Sequence, residues 1–280
     1  MQVARAGRLT AGRQMSCFRF EWPAVIRKKS QLAPSRTESA LPSAPRRGNQ
    51  ASRRRKQQRS IETRLTILES ALAEFAEKGY DGASTRGIAE RAQIQHPLIT
   101  YHFKTKEILW RAVAVHFHAQ IKTLWDERIP RDSVLTPMER VREEFRTFLR
   151  FTIEHPHFHH FMLNENRPDS PRLAWLMKNM LAENIGRVLP QIRAAQQAGE
   201  LPDVEPVLIH YMLIGMTSVL SSLAPEIRKF SGLSVDDPNV LDSYWSLIET
   251  FVFNGRRYGK GALPTGSAPP QRKGRHEMAD

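Results

Sequence analysis

The sequence lacks the features that mark secreted and membrane proteins. Its 280 residues include a single cysteine, Cys17, which excludes a disulfide framework and fits a reducing compartment. No stretch reaches the roughly 20 apolar residues of a membrane span. The basic N-terminus has no continuous apolar segment followed by a small-residue cleavage site. We therefore expect a cytoplasmic protein that does not interact with a membrane.

The motifs of common catalytic sites are also missing. The sequence contains no glycine-rich phosphate loop, no Gly-x-Ser-x-Gly and no His-Glu-x-x-His. A metal hypothesis comes from one dense histidine group: His155, His157, His159 and His160. No cysteine accompanies this group, Glu154 is its one nearby carboxylate, and Pro156 interrupts the helical i,i+4 spacing. We therefore predict no enzyme, no cofactor and no metal site, and place these histidines on the surface or around a pocket.

Positive charge is concentrated at the start of the chain. The net charge is +13, and residues 1–60 contain 15 Lys and Arg against 2 Asp and Glu, whereas the remainder has 27 of each sign. Residues 1–58 lack a sustained apolar period, so we predict a disordered basic extension. Its run Arg53–Lys56 with Arg59 leaves two interpretations open. It is either an arm that contacts phosphates or a minor groove, or an extension without a selected role.

The remaining sequence predicts an all-α fold, because its apolar residues recur at helical spacing and no alternating strand runs occur. An amphipathic helix begins at Ile61. Gly79 ends it, and Tyr80 is placed to pack back on Phe75. Later helices run to about residue 254, and residues 256–280 are rich in Gly, Pro, Arg and Lys, which predicts a disordered tail.

Two short helices joined by a turn are predicted within residues 84–106. Ser84 or Thr85 can cap the first helix, and Gln93–Gln95 is the turn. The second helix spans about His96–Phe103 and has Pro97 in its first turn, where a missing N–H costs little. It exposes polar side chains and has basic neighbours, which is typical of a DNA-binding helix-turn-helix. The alternative from the pattern alone is a solvated helical pair with ordinary surface charges.

The amino-acid sequence of this stretch resembles that of the DNA-binding domain of the TetR family of bacterial transcriptional regulators. The resemblance lies in Ser-Thr-Arg-x-Ile-Ala-x-Arg-Ala, then x-Ile-x-x-Pro-Leu-Ile-x-Tyr-His-Phe, then Lys-Thr-Lys-Glu-x-Leu, and runs from about Arg64 to Phe117. Gln93 stands where the family usually has Gly, and Gln95 where a small capping residue is usual. The resemblance implies a DNA-binding domain over residues 59–117, whose fourth helix links it to a ligand-binding and dimerisation domain over 118–255.

The resemblance also implies how the second helix contacts a double-stranded DNA operator. Base edges are approached from its start, and the residues there are Gln95, His96, Pro97, Leu98 and Thr100. Phosphate contacts are expected from Thr85, Arg86, Tyr101, His102 and Lys106.

In the resembling family, the last two long helices pair with their copies across a two-fold axis. The corresponding helices here are apolar around more than one face, which indicates a second buried interface. The predicted dimer contacts are Leu208, Tyr211, Val219, Tyr244, Trp245, Ile248, Phe251 and Val252. The alternative is that these helices are buried more fully inside one protomer.

Soft and aromatic side chains of the C-terminal region could surround a ligand pocket, because methionine adapts to irregular spaces. They are Phe158, Phe161, Met162, Trp175, Met177, Met180, Met212 and Met216. We thus predict a homodimeric repressor that an unidentified, apolar or aromatic small molecule releases from a near-palindromic operator. The competing hypothesis is an all-α small-molecule-binding or adaptor dimer that does not bind DNA.

Overall fold

The structure is a computed structural model that describes residues 47–130 and 132–253. These ranges contain eleven α-helices and no strand, which confirms the predicted all-α class. The first four are α1 (Arg47–Gly82), α2 (Thr85–Arg91), α3 (His96–His102) and α4 (Lys106–Arg128). The others are α5 (Pro137–Glu154), α6 (His157–Leu163), α7 (Pro171–Leu176), α8 (Ala182–Gln197), α9 (Pro206–Ser222), α10 (Ala224–Ser231) and α11 (Pro238–Ile248).

Helix α1 is longer than predicted. It begins at Arg47 rather than at Ile61, so the prediction of disorder is wrong for residues 47–58, while residues 1–46 and the predicted tail lie outside the described residues. Its helical backbone breaks at Gly79, where φ is 68°. The Tyr80 ring then stacks on Phe75 with centroids 6.0 Å apart, as the sequence predicted.

The helix-turn-helix forms as the sequence predicted. The Ser84 hydroxyl accepts a hydrogen bond from the Gly87 amide at 3.0 Å and caps α2. Ile88 of α2 and Ile99 of α3 are buried against α1, so both short helices are held by the same apolar stripe. Because neither helix is long enough to be stable alone, this packing fixes their relative position.

One apolar core joins the predicted DNA-binding domain to the helices that follow. It runs from Ile67 to Met180 and crosses the predicted boundary between residues 117 and 118. Phe161 of α6 lies between Phe75 of α1 and Trp110 of α4, with ring centroids 6.3 and 5.3 Å away. The two predicted domains therefore share packed side chains.

A second core lies among the remaining helices. Helix α5 packs against α8 and α9, and Trp245 of α11 is buried beside them. The single long helix predicted after Arg172 is interrupted by a π-helical turn over Met177–Leu181, and a second π turn, Glu249–Phe253, follows α11. Helix α10 was not predicted from the sequence.

The described helices were also compared with the requirements of a membrane span. No single helix is long and apolar enough to cross a bilayer, although α9 and α10, bent by 58° from one another, meet the length and composition test as a pair.

Candidate DNA-binding interface and effector cavity

Helix α3 presents an exposed face made largely of the predicted DNA contacts. Tyr101 is 77% exposed and Leu98 is 39% exposed. The other fully exposed members of the predicted set are Arg86, Gln95, His96, Pro97 and Thr100. These side chains therefore lie on the surface, where a groove of DNA could reach them, while Thr85 and His102 are half-buried.

A side-chain contact links the two short helices at their starts. The Thr85 hydroxyl and the His96 Nε2 atom lie 3.0 Å apart. This distance is a hydrogen bond whose donor depends on the imidazole tautomer. The contact orients the His96 ring at the first turn of α3, where a base-contacting side chain must be positioned.

The turn between α2 and α3 contains an unusual backbone conformation. Gln93 has φ of 53°, and it is the only non-glycine residue with positive φ in the part of the chain that the structure describes. This is the position where the resembling family usually has glycine, which adopts the left-handed region without steric cost. The departure noted in the sequence therefore falls on a conformation that glutamine adopts only with strain.

The structure gives Lys106 a different role from the predicted phosphate contact. Its ammonium donates to the carbonyl oxygens of Tyr80 at 2.9 Å and Ala83 at 3.1 Å, and lies 4.5 Å from the centre of the Tyr80 ring. The side chain therefore satisfies carbonyls in and just after the last turn of α1, where helical partners are lacking. Lys106 positions the end of α1 instead of extending toward DNA.

His102 and Arg64 lie together at the end of α3. The Arg64 guanidinium lies 4.3 Å from the centre of the Phe103 ring. Partial burial, reinforced by the positive charge of Arg64, lowers the pKa of His102 below its usual value. The His102 ring is therefore neutral at pH 7 and can donate one hydrogen bond to a phosphate but supplies no charge.

A cavity of about 340 Å³ lies between α4, α5, α6, α8 and α9. Its walls are mainly apolar, and four of the predicted pocket residues line it: Phe158, Met162, Met177 and Met180. The volume is within the range of small-molecule sites, about 300–1,000 Å³.

The other four predicted pocket residues lie elsewhere. Phe161 fills the first core, and Trp175 packs edge-on against Trp110 with centroids 5.9 Å apart. Met216 packs against the second core, and Met212 is 44% exposed. Phe161, Trp175 and Met216 therefore serve packing, Met212 lies on the surface, and the pocket prediction was wrong for these four positions.

The cavity also has a polar end that the sequence did not reveal. His118 Nε2 lies 2.9 Å from Asn184 Oδ1, and both residues face the cavity. Glu144 is buried, and desolvation raises its carboxyl pKa to about 7, although Arg187, 3.6 Å away, opposes the shift. Burial lowers the pKa of His210 to about 4, so its ring is neutral. No lysine or arginine lines the cavity among the described residues.

The histidine group around α6 does not converge on one point. His155 packs between the rings of Phe117 and Phe151, at 5.0 and 4.7 Å. His159 faces the cavity, and its Nε2 atom lies 3.3 Å from the Ser218 hydroxyl. Within the described ranges, no group of three or more metal-ligating side chains comes together.

Helices α9 and α11 leave an apolar face exposed. Four of the predicted dimer contacts lie on it: Leu208, Tyr211, Val219 and Phe251. Trp245, Ile248 and Val252 are instead buried in the second core of the same protomer, so the interface prediction was wrong for them. Tyr244 is half-buried and donates its hydroxyl to the Met216 carbonyl at 2.7 Å. Met212 and Leu247 were missed, and both are exposed beside this face.

Comparison with known proteins settles the family. The sequence model of bacterial regulatory proteins of the tetR family matches residues 67–113, which run from the second half of α1 to the first part of α4. Residues 67–113 are a tetR-family regulatory region. The predicted assignment to this family is confirmed.

Relatives extend the similarity beyond the helix-turn-helix. The HTH-type transcriptional regulator RutR of Escherichia coli K12 is 23% identical over 201 residues, covering 68% of this chain and 89% of RutR. The HTH-type transcriptional repressor NicS of Pseudomonas putida is 23% identical over 203 residues, covering 71% and 95%. A putative fatty acid metabolism regulator of Clostridium perfringens has the same fold, with TM-score 0.56, 18% identity, and 68% and 98% coverage. These relatives are regulators and not enzymes.

Proposed function

We propose that this chain is a homodimeric TetR-family repressor that binds a near-palindromic operator and is released by a small molecule. The observation that supports DNA contact most directly is the exposed first turn of α3, with Gln95, His96 and Pro97 on the surface. Gln can pair bidentately with adenine, and an apolar ring can pack on a thymine methyl group. Tyr101 and Arg86 flank this turn and are placed to bind phosphates.

Selection of binding sites from a random DNA pool tests this function. We expect one enriched sequence with two-fold symmetry and half-sites about 34–36 Å apart or slightly more. His96→Ala should change the enriched bases, whereas Tyr101→Phe and Tyr101→Ala should both weaken binding to all sequences. Glu69→Gln, on an exposed part of α1, is the control that leaves binding unchanged. Failure to enrich any sequence would favour the alternative, a dimer that does not bind DNA.

The exposed apolar face of α9 and α11 supports the dimer. Leu208 is 62% exposed and Phe251 is 71% exposed, and large apolar side chains left in solvent are the kind of surface that protein interfaces cover. Phe251→Glu should convert a dimer to a monomer in sedimentation velocity. Val134→Glu introduces the same charge at a fully exposed apolar residue between α4 and α5 and should leave the mass unchanged. A monomeric wild-type protein would refute the dimer.

The cavity supports an uncharged and largely apolar effector. Its apolar walls favour rings or chains, and its polar end offers the neutral His210 imidazole and the Glu144 carboxyl group, with no lysine or arginine among the described lining residues. A carboxylate ligand would be desolvated there without a partner charge, which is costly. In calorimetry, 2-naphthol should therefore bind more tightly than 2-naphthoate. Met162→Trp, which fills the cavity, should abolish that binding. Equal or stronger binding of the carboxylate would contradict the proposed chemistry.

Helix α6 is the structural connection between this cavity and the DNA-binding helices. Its residues Phe158 and Met162 face the cavity. Phe161 and Asn164 face α1 instead, where the Asn164 side chain donates to the carbonyls of Phe75 and Ala76, both at 2.9 Å. A ligand that moves α6 thus also moves the end of α1. Helix α6 is then the element through which the cavity and the DNA-binding helices shift together between two states.

Met162→Trp also tests this coupling, because the indole imitates a permanently bound ligand. We expect weaker operator binding by this variant, and partial recovery when Asn164→Ala is added. Val134→Trp adds the same ring on the surface and should leave the affinity unchanged. Full operator affinity in a folded Met162→Trp protein would argue against release through α6.

A further inference from the structure

The first turns of α1 form a basic surface that the helix-turn-helix does not use. Residues 52–60 are helical and exposed on all sides. They contain five cations, Arg53, Arg54, Arg55, Lys56 and Arg59, and no carboxylate. Among the described residues, these five side chains make no ion pair, and Glu62, the next carboxylate along the helix, accepts a hydrogen bond from Gln58 at 2.9 Å.

Such a helix gains little stability from the rest of the protomer. It packs no apolar stripe against a core, and like charges three or four residues apart destabilise a helix. An anionic partner would reverse that electrostatic cost, since the same charges would then be neutralised along a regular array. These turns are therefore suited to bind a polyanion and unsuited to pack against an apolar surface.

The path of α1 shows which polyanion lies within reach. At its far end, α1 contacts α6 through the carbonyls of Phe75 and Ala76. Two to three turns earlier, Arg64 lies over the Phe103 ring at the end of α3. With a rise of about 1.5 Å per residue, Arg53 lies about 16 Å beyond Arg64, on the side away from the cavity. The basic turns thus project past the helix that is proposed to enter the major groove.

We propose that the basic turns of α1 bind the phosphates of the DNA duplex that flanks each half-site. This inference rests on the proposed operator binding and adds a second, sequence-independent contact to it. Residues are about 100° apart around a helix, which places Arg53 about 20° and Lys56 about 80° from Arg64. Arg59 and Arg55 lie about 140° and 180° away, on the opposite side. Arg54 also lies about 80° from Arg64, on the other side from Lys56. Arg53, Arg54 and Lys56 are therefore the phosphate contacts, and Arg55 and Arg59 face solvent.

Two double variants of the full chain separate the faces at equal net charge. Arg53→Gln/Lys56→Gln removes two of the three proposed contacts, and Arg55→Gln/Arg59→Gln removes the same charge from the other face. The affinity for the selected operator, with about ten flanking base pairs on each side, is measured between 50 and 200 mM salt. Since each phosphate contact adds about 0.9 to the slope of log K against log salt, the first variant should lower the slope by about 1.8 per protomer. Between 50 and 200 mM salt, the loss of affinity relative to the wild type should then shrink about 12-fold per protomer, or about 150-fold for a dimer that carries the variant in both protomers.

The second variant should keep most of the wild-type slope, and neither variant should change the enriched operator sequence. Equal slopes in both variants and the wild type would overturn the inference. An equal loss of operator affinity in both variants would also overturn the inference, because the net charge of the helix and not the position of each cation would then determine binding. A third outcome is that both variants keep the wild-type salt dependence of DNA binding but lose binding to vesicles of anionic lipid. The basic turns would then bind a membrane surface instead of DNA. A wild-type protein that selects no DNA sequence would refute the operator proposal itself, which is a distinguishable failure. Circular dichroism checks that the variants keep their helix content.

Discussion

The strained turn between α2 and α3 gives a direct test of the structure. Gln93 has φ of 53° in a turn where both neighbouring short helices are held by their packing on α1. Its side chain is exposed and makes no hydrogen bond among the described residues. Replacing Gln93 with glycine therefore removes the steric cost of the left-handed conformation without removing a contact.

Two opposing terms set the size of the effect. A residue with a Cβ atom costs about 1–2 kcal/mol in the left-handed region relative to glycine. Glycine in turn loses about 0.5–1 kcal/mol more conformational entropy on folding. The net expectation for Gln93→Gly is a stabilisation of about 0.5–1 kcal/mol, which corresponds to a Tm increase of about 1–4 °C for a protein of this size.

The assay is urea denaturation followed by circular dichroism, with two controls. Gln93→Ala keeps the Cβ atom and should change stability by less than about 0.5 kcal/mol. Glu69→Gly places glycine in an exposed, right-handed helical position of α1 and should destabilise by about 1 kcal/mol. A destabilised Gln93→Gly protein would show that the side chain contributes more than the backbone strain costs, and would refute the reasoning.

Three further predictions concern buried contacts. Gly87→Ala should destabilise by about 1–3 kcal/mol in thermal unfolding, because its Cβ atom would lie 2.5 Å from Oε1 of the buried Glu74; an unchanged Tm would show that Glu74 moves freely. Lys106→Met should destabilise by about 1–3 kcal/mol through loss of its carbonyl contacts, yet leave the salt slope of DNA binding unchanged; a lower slope would restore the phosphate role. For Glu144, a folded pKa of about 7, above the unfolded value of 4.5, makes stability fall as pH rises from about 5 to 8. Glu144→Gln should remove about 2–3 kcal/mol of that decline. Identical profiles of stability against pH in the wild type and the variant would mean that the pKa of the Glu144 carboxyl group is not raised by folding. His210 has the opposite sign, since its pKa of about 4 makes stability fall as pH drops below about 6.5.

Local signals in the sequence predicted the local structure well. The Ser84 cap and the break at Gly79 both depend on residues within a few positions of one another. Such contacts depend on backbone geometry that is the same in any protein, so a single sequence is enough to predict where these helices begin and end. The helix-turn-helix was predictable for the same reason.

Contacts between distant segments were predicted less well. Apolar periodicity shows that a helix face is buried but not what covers it, so Trp245 and Phe251 looked equivalent although one is buried and the other exposed. The π turn after α11 adds to this difficulty, because its wider turn brings the consecutive residues Val252 and Phe253 both inward. Phe161 was assigned to the pocket because the shared core across the predicted domain boundary was not anticipated. Glu144 was missed because its significance comes entirely from burial.

Helix α1 connects the cavity side of the molecule, the helix-turn-helix and the basic turns. Its end is held by Asn164 from the cavity side and by Lys106 from the start of α4, and its middle supports α2 and α3. Its first turns carry the basic surface on the far side. A displacement at Phe75 therefore acts on a rigid rod whose other end lies beside the proposed DNA contacts, and a small movement at the cavity becomes a larger one at the phosphates. If the basic turns bind DNA, a displacement of α1 by the effector also moves these phosphate contacts. Removing the basic turns should therefore lower the operator affinity, and it should also reduce the effect of filling the cavity on that affinity.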